Sequence, residues 1–110
     1  MNIFNCKIEN GIAKIDSNSI SLDKSINVED ASIGIRPDDI QISDSGMISC
    51  KANLVEYLGS DMIIYSSIGD QEFSCKLSSK IDVKAGDEFK FDIQPSLVHV
   101  FDNSSGKRLD

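Results

Sequence analysis

Ser32-Ile33-Gly34-Ile35-Arg36-Pro37-Asp38-Asp39-Ile40-Gln41-Ile42 reads as a strand, a corner and a second strand. Ile33 and Ile35 alternate with their neighbours at the two-residue period of a half-buried strand. Pro37 has no N–H to give to a ladder, so it ends that strand. Pro37-Asp38-Asp39 then predicts a turn or a single helical turn, with carboxylates near its N-terminal end. Ile40 and Ile42 resume the alternation.

The same period recurs on both sides of this stretch. Upstream, Phe4, Cys6 and Ile8 alternate with polar residues, and Asn10-Gly11 predicts a tight hairpin turn because both residues tolerate positive φ. A second strand follows from Ile12 to Ile15. Ile20 and Leu22 predict a third, and the polar run Asp23 to Ala31 predicts a loop. Downstream, Asp44-Ser45-Gly46 predicts a turn. The longest strand signal runs from Met47 to Leu58. Ile48, Cys50, Ala52 and Leu54 share one face of it, after which Val55 and Tyr57 become the apolar pair. Such a change of phase predicts a bulge, or a corner where the strand passes from one sheet to another. Further strands are predicted over Met62 to Ile68, Phe73 to Leu77, Phe89 to Ile93 and Val98 to Phe101, with turns at Gly59-Ser60, Gly69-Asp70, Lys84 to Asp87 and Asp102 to Gly106.

The sum is about nine short strands, at most one or two helical turns, and no amphipathic helix. That pattern predicts an all-β fold, a small OB-like β-barrel filling residues 1–110 as one domain. Composition agrees. Ile occurs sixteen times and Trp never, and a Cβ-branched side chain fits a pleated surface better than a helix.

With a net charge of −7 and a pI of about 4.5, the surface repels phosphate backbones and anionic membranes, so nucleic acid is an unfavoured partner. No apolar run approaches the roughly 20 residues needed to cross a bilayer, and the N-terminus lacks the pattern of a signal peptide. Cys6, Cys50 and Cys75 are odd in number and widely spaced. They predict free thiols packed as small hydrophobes rather than a disulfide framework or zinc site.

Catalytic constellations are missing from the pattern. There is no phosphate-cradling Gly-x-x-x-x-Gly-Lys loop, and the single histidine, His99, lacks the partners that a triad or a zinc site needs. Asp38 and Asp39 are explained by turn chemistry. Asp102 to Gly106 is too short for a calcium loop and lacks the distal glutamate. Asn103-Ser104-Ser105 matches a glycosylation acceptor by chance. No catalytic, metal or cofactor site is expected.

Five short segments resemble, in order and in rough spacing, the TOBE-type regulatory domain at the C-terminus of ATP-binding subunits of sugar-importing ABC transporters, the maltose and glycerol-phosphate importer type. Met1-Asn2-Ile3-Phe4 is similar to the Met-Asn-aromatic start of that domain. Gly34-Ile35-Arg36-Pro37-Asp38 is similar to its Gly-Ile-Arg-Pro-Glu motif, with Asp38 in place of Glu. Val55-Glu56-Tyr57-Leu58-Gly59 resembles Val-Glu-x-Leu-Gly, and Ala85-Gly86-Asp87-Glu88 resembles the Gly-Asp before the final strands. His99-Val100-Phe101-Asp102 with Gly106-Lys107-Arg108-Leu109 resembles the family's ending, with Ser105 where it has Thr.

The resemblance implies a regulatory and dimer-forming module without catalysis of its own, cytoplasmic, self-associating, and partnered in its parent by an ATPase domain, permease subunits and regulatory proteins. It implies no ATPase domain in this chain, which then corresponds to a fragment of a complete subunit of about 330–380 residues or to a stand-alone paralogue, the fragment being preferred. The motif residues expected to matter structurally are Gly34, Arg36, Pro37, Glu56, Gly59, Gly86, Phe101 and Gly106. Arg36 is expected either to pair with a carboxylate such as Glu56, locking the corner at Pro37, or to stay solvated. The alternative function is sensing of a small ligand, a sugar or an oxyanion, on an OB-like face. Against an oxyanion stand the acidic charge and the lack of a basic loop beside a glycine nest.

Overall fold

The computed structural model describes residues 1–109 of the chain. It is all-β. Eleven strands run in the order β1 (Asn2–Glu9), β2 (Ile12–Ile15), β3 (Asn18–Ser21), β4 (Val28–Ile35), β5 (Ile40–Ile42), β6 (Ile48–Lys51), β7 (Leu54–Leu58), β8 (Asp61–Ile68), β9 (Gln71–Ser78), β10 (Glu88–Ile93) and β11 (His99–Asp102), with 3-10 turns at Pro37–Asp39 and Pro95–Leu97. Every paired ladder is antiparallel.

These strands form three sheets. The first has the order β11-β4-β1-β2-β3, the second β5-β10-β6 and the third β7-β8-β9. Curvature is therefore divided among three open sheets rather than carried by one continuous hydrogen-bonded ring. Two of the eleven strands come from splitting a stretch that reads as one. Met47 to Leu58 is β6 in the second sheet and β7 in the third. The crossing is pinned at Ala52, whose N–H donates to the Asp87 carbonyl (2.8 Å) and whose carbonyl accepts from Gly86 N–H (2.8 Å). One residue on, Asn53 N–H donates to the Tyr65 carbonyl of β8 (2.8 Å). The phase change near Leu54 records this transfer.

The polar run from Asp23 to Ala31 is a loop only in part, because β4 begins at Val28 and Ala31 lies buried within it. Its first turn carries exposed Glu29 and Asp30, which hide the strand in a polarity count. A register shift between Cys6 and Ile8 of β1 absorbs the mismatch with β4. The Asn10-Gly11 hairpin forms as predicted, with φ of 51° and 75°. Gly11 is doubly required there: a Cβ would stand 2.5 Å from the Lys24 carbonyl oxygen.

Ile8, Ile15, Ile33, Ile35, Met62 and Ile64 are among the fully buried core side chains. Four phenylalanines run through that core and tie the sheets together. Phe4 of β1 stacks on Phe73 of β9 (centroids 5.6 Å apart), Phe73 on Phe91 of β10 (5.5 Å), and Phe91 on Phe89 (6.0 Å), all tilted. Tilted aromatic contacts at these distances add stability beyond their buried area.

The seam between the first and third sheets is closed by side chains. The Asn2 amide donates from Nδ2 to the Ser74 carbonyl (2.7 Å) and accepts at Oδ1 from the Ser74 N–H (2.9 Å). Gln71 reciprocates across the same gap: its Oε1 accepts from Asn5 N–H (2.7 Å) and its Nε2 donates to the Asn5 carbonyl (3.0 Å). Each amide presents one donor and one acceptor, as a peptide group does. Two side chains thus stand in for ladder rungs between β1 and β9, where the backbones themselves do not pair.

Candidate functional site

Across the third sheet the register sets Leu54 opposite Tyr65, Glu56 opposite Ile63, and Leu58 opposite Asp61. On the other side of β8, Tyr65 stands opposite Ser74 and Ile63 opposite Lys76. Residues directly opposite one another share a face. Met62, Ile64, Ser66 and Ile68 of β8 are buried, so the odd-numbered residues of β8 and the even-numbered ones of β7 form the outer face. Leu54, Leu58, Ile63 and Tyr65 lie on that face, around the carboxylate of Glu56.

β7 is the exposed element. Leu54 and Leu58 are each 53% accessible and Tyr57 is 61%. Among the described residues it pairs only with β8, which leaves its second edge open. Exposed strand edges are commonly blunted by lysine, proline or a bulge, and Leu54–Leu58 has none of these. An open groove of about 420 Å³ continues the face past Leu54 and Tyr65 toward Asn2 and Ser74.

Electrostatics here are modest. Glu56 lies beside the Tyr65 hydroxyl; the hydrogen bond, then burial, then the negative charge push the Tyr65 pKa up from 10.0. Among the described residues the ion pairs are Lys7 with Glu9 and Glu29, Lys14 with Glu9, and Lys76 with Asp61. Arg36 and Glu56 are both exposed and are not among these pairs, so of the two alternatives for Arg36 the structure fits the solvated one. Topology explains this: β1, β9 and β8 lie between Arg36, at the end of β4, and Glu56 on β7.

The other motif residues fall into separate places. Pro37 opens the 3-10 turn that ends β4. Gly34 lies within β4, and a Cβ there would press on the side chains of Met1 and Ile3. Gly59, Gly86 and Gly106 have φ of 75°, 94° and 71° with open space around them. They shape turns, and the structure does not bring them together with Gly34. Phe101 is half-buried on β11 and bridges to Arg108. The Arg108 guanidinium donates to His99 Nδ1 (2.8 Å), so His99 presents an acceptor to it. The Asp102 carboxylate accepts from Ser104 N–H (3.0 Å), a turn role.

No group of three or more His, Cys, Asp or Glu side chains among the described residues is placed to hold a metal ion. Burial raises the pKa values of Cys6 and Cys50 to about 11 and of Cys75 to about 12, so these thiols are protonated at neutral pH and make poor nucleophiles. A small pocket of about 170 Å³ lies under the 3-10 turn Pro95–Leu97, floored by Leu22, Ile26, Val98 and Val100; its lining is largely aliphatic. No helix among the described residues is long and apolar enough to cross a membrane.

Sequence reasoning missed the open face as a site. Its signal was present in Leu54-Val55-Glu56-Tyr57-Leu58, five residues with a single charge. Which of the apolar ones are exposed depends on the crossing at Ala52.

Comparison with known proteins gives a consistent result. Relatives include the oligosaccharides import ATP-binding protein MsmX of Bacillus subtilis (strain 168), 29% identical over 125 residues that cover 99% of this chain and 34% of MsmX. The sn-glycerol-3-phosphate import ATP-binding protein UgpC of Cupriavidus pinatubonensis is 34% identical over 83 residues, covering 74% of this chain and 22% of UgpC. The chain thus matches between about a fifth and a third of the length of these relatives. The family model described as the TOBE domain matches residues 33–101, which take in the last three residues of β4 and nearly all that follows, including the crossing at Ala52 and the open face of β7 and β8; the chain belongs to the TOBE domain family.

Proposed function

We propose that this chain is the regulatory and self-associating module of the ATP-binding subunit of a carbohydrate importer, and that it performs no catalysis itself. The observation that carries the reading is the open apolar face of β7 and β8, an exposed edge and face. A surface of this kind suits contact with protein. The likeness to import ATP-binding proteins supplies the setting: an ATPase domain and permease subunits as neighbours in the parent, at the cytoplasmic side of a membrane.

An ATP hydrolysis assay and a thermal-shift screen of the chain against maltose, glycerol 3-phosphate, molybdate and sulfate test this reading. No turnover and no shift in Tm are expected. Turnover that copurifies with the chain would overturn it, and a saturable rise in Tm would replace it with ligand sensing, since a ligand that binds only the folded state must raise Tm.

A further inference from the structure

We propose that the pocket under the 3-10 turn Pro95–Leu97 is a binding site for a free aliphatic amino acid, with the ligand's side chain in the pocket and its ammonium and carboxylate groups at the mouth. The inference goes beyond the module reading and concerns a different surface from the open face of β7 and β8.

Three connections meet around this pocket: the loop from β3 to β4, the turn between β10 and β11, and the chain end returning along β11. They line it with Leu22, Ile26, Pro95, Val98, Val100 and Leu109. Val98 and Val100 are buried, and Leu22, Ile26 and Leu109 are half-buried, so the floor is aliphatic core. A cavity of roughly 150 Å³ with such walls stays dry and takes an apolar guest the size of benzene. At about 170 Å³, this one has room for a hydrocarbon chain of roughly three to five carbons. It is too small for a sugar to enter whole.

Charge is confined to the mouth. Asp23 and Lys24 line the pocket and are exposed. The Lys24 ammonium reaches the Leu109 carbonyl only at 3.5 Å, and among the described residues neither side chain forms an ion pair. An anion and a cation on adjacent residues, beside an apolar hollow, match the ammonium and carboxylate of an amino acid, which share the carbon that carries the side chain. A ligand without net charge also escapes the repulsion that −7 on the chain exerts on an anion.

The segment that carries these charges is held by the backbone. Leu22 N–H donates to the Gly11 carbonyl (2.8 Å), Gly11 N–H donates to the Ile26 carbonyl (3.0 Å), and Ile26 N–H donates to the Lys24 carbonyl (3.1 Å). The loop tip is thereby clamped at both ends onto the Asn10-Gly11 hairpin, and Pro95 fixes φ on the facing turn. Walls ordered before binding lower its entropic cost.

Titration of the isotope-labelled chain with L-leucine to about 50 mM, followed by methyl and amide NMR, tests the site. Saturable shifts are expected at Leu22, Val98, Val100 and Leu109. The Leu109 amide, which donates to the Val100 carbonyl (2.8 Å), should exchange more slowly in the complex. Each buried methyl or methylene should tighten binding roughly threefold to fourfold, so L-alanine, three carbons shorter, should bind about thirtyfold more weakly. Isoamylamine lacks the carboxylate and 4-methylpentanoate lacks the ammonium; each should bind about threefold more weakly than leucine, the scale of an exposed ion pair. Lys24→Met should remove the advantage of leucine over isoamylamine, and Asp23→Asn its advantage over 4-methylpentanoate. Both positions are exposed, and an unchanged Tm in each variant reports an intact fold. No saturable shift by about 50 mM, or shifts centred elsewhere, overturns the site. Alanine binding as well as leucine does the same, because the pocket would then not hold the side chain. A one-charge analogue that binds the parent chain as well as leucine overturns the amino-acid assignment.

Discussion

β9 and β7 are the two edges of one three-stranded sheet, and they are treated in opposite ways. The β9 edge faces β1 and is sealed by the amides of Asn2 and Gln71, with Phe73 on its inner side in contact with Phe4 and Phe91. The β7 edge has no partner strand among the described residues, one charge, and leucines more than half accessible. The other edges are protected in their own ways. β11 is covered by residues 107–109, which bond back to Asp102 and Val100, and β3, β5 and β6 are only three or four residues long. The contrast within one sheet teaches that the hydrophobicity of β7 is not a failure to bury. The fold spent its specific polar contacts on β9 and left β7 free.

Substitutions on the two edges should separate accordingly. Phe73→Ala removes the ring that joins the first and second sheets and should lower unfolding stability by about 3–5 kcal/mol, read by urea titration. A loss below about 1 kcal/mol would mean that the aromatic chain does not hold the sheets together. Asn2→Ala leaves the Ser74 N–H and carbonyl without partners at a part-buried seam, which should cost about 1–3 kcal/mol. Leu58→Ser on the opposite edge should change monomer stability by no more than about 0.5 kcal/mol. If the two substitutions cost the same, the distinction between sealed and open edge fails.

Raising the pH extends the comparison to the inner face of β9. Burial lifts the Cys75 pKa from 9.0 to about 12, and that of Cys50 to about 11 against a smaller lowering by Ser66. A folded-state pKa above the unfolded one means that the buried thiol contributes no loss below pH 9. Above that the unfolded chain ionises first, so stability falls as pH rises from 9 through the folded values. The denaturation midpoint of Cys75→Ala should fall less over that window than that of the parent chain. The smallest effect belongs to the open edge: Glu56→Gln removes the carboxylate beside Tyr65, and the Tyr65 pKa should drop back toward 10.0 with almost no change in stability. A spectrophotometric titration that leaves Tyr65 unmoved would show that Glu56 does not reach it.

How much of this was legible in the sequence depends on the range of the interaction involved. The Asn10-Gly11 hairpin, the stop at Pro37 and the turn glycines follow from local backbone preference, and each shows in two or three adjacent residues. The phase change near Leu54 was visible too, and it marks the crossing at Ala52 and Asn53. A count of strands fell short because a continuous alternation does not say which sheet each half joins. The start of β4 was hidden because Glu29 and Asp30 are exposed residues of a strand and read like those of a loop. The bridging roles of Asn2 and Gln71 gave no signal at all, although Asn2 lies in a motif segment. Their bonds span 72 and 66 residues, and nothing in a neighbourhood of the chain distinguishes an amide that bridges two sheets from one that meets water. Whether Arg36 pairs with Glu56 or stays solvated was open in the sequence for the same reason, since four strands' width separates the two residues and only the sheet order shows it.

The amide seam between β1 and β9 also bears on motion. A backbone rung breaks only when two strands part, but a side-chain rung breaks when one χ angle turns. Asn5 and Ser74 can therefore lose their partners while every ladder stays intact. Their amide protons should exchange with solvent ahead of those in the neighbouring ladders, marking a hinge line along which the third sheet can tilt, carrying the open edge of β7 with it.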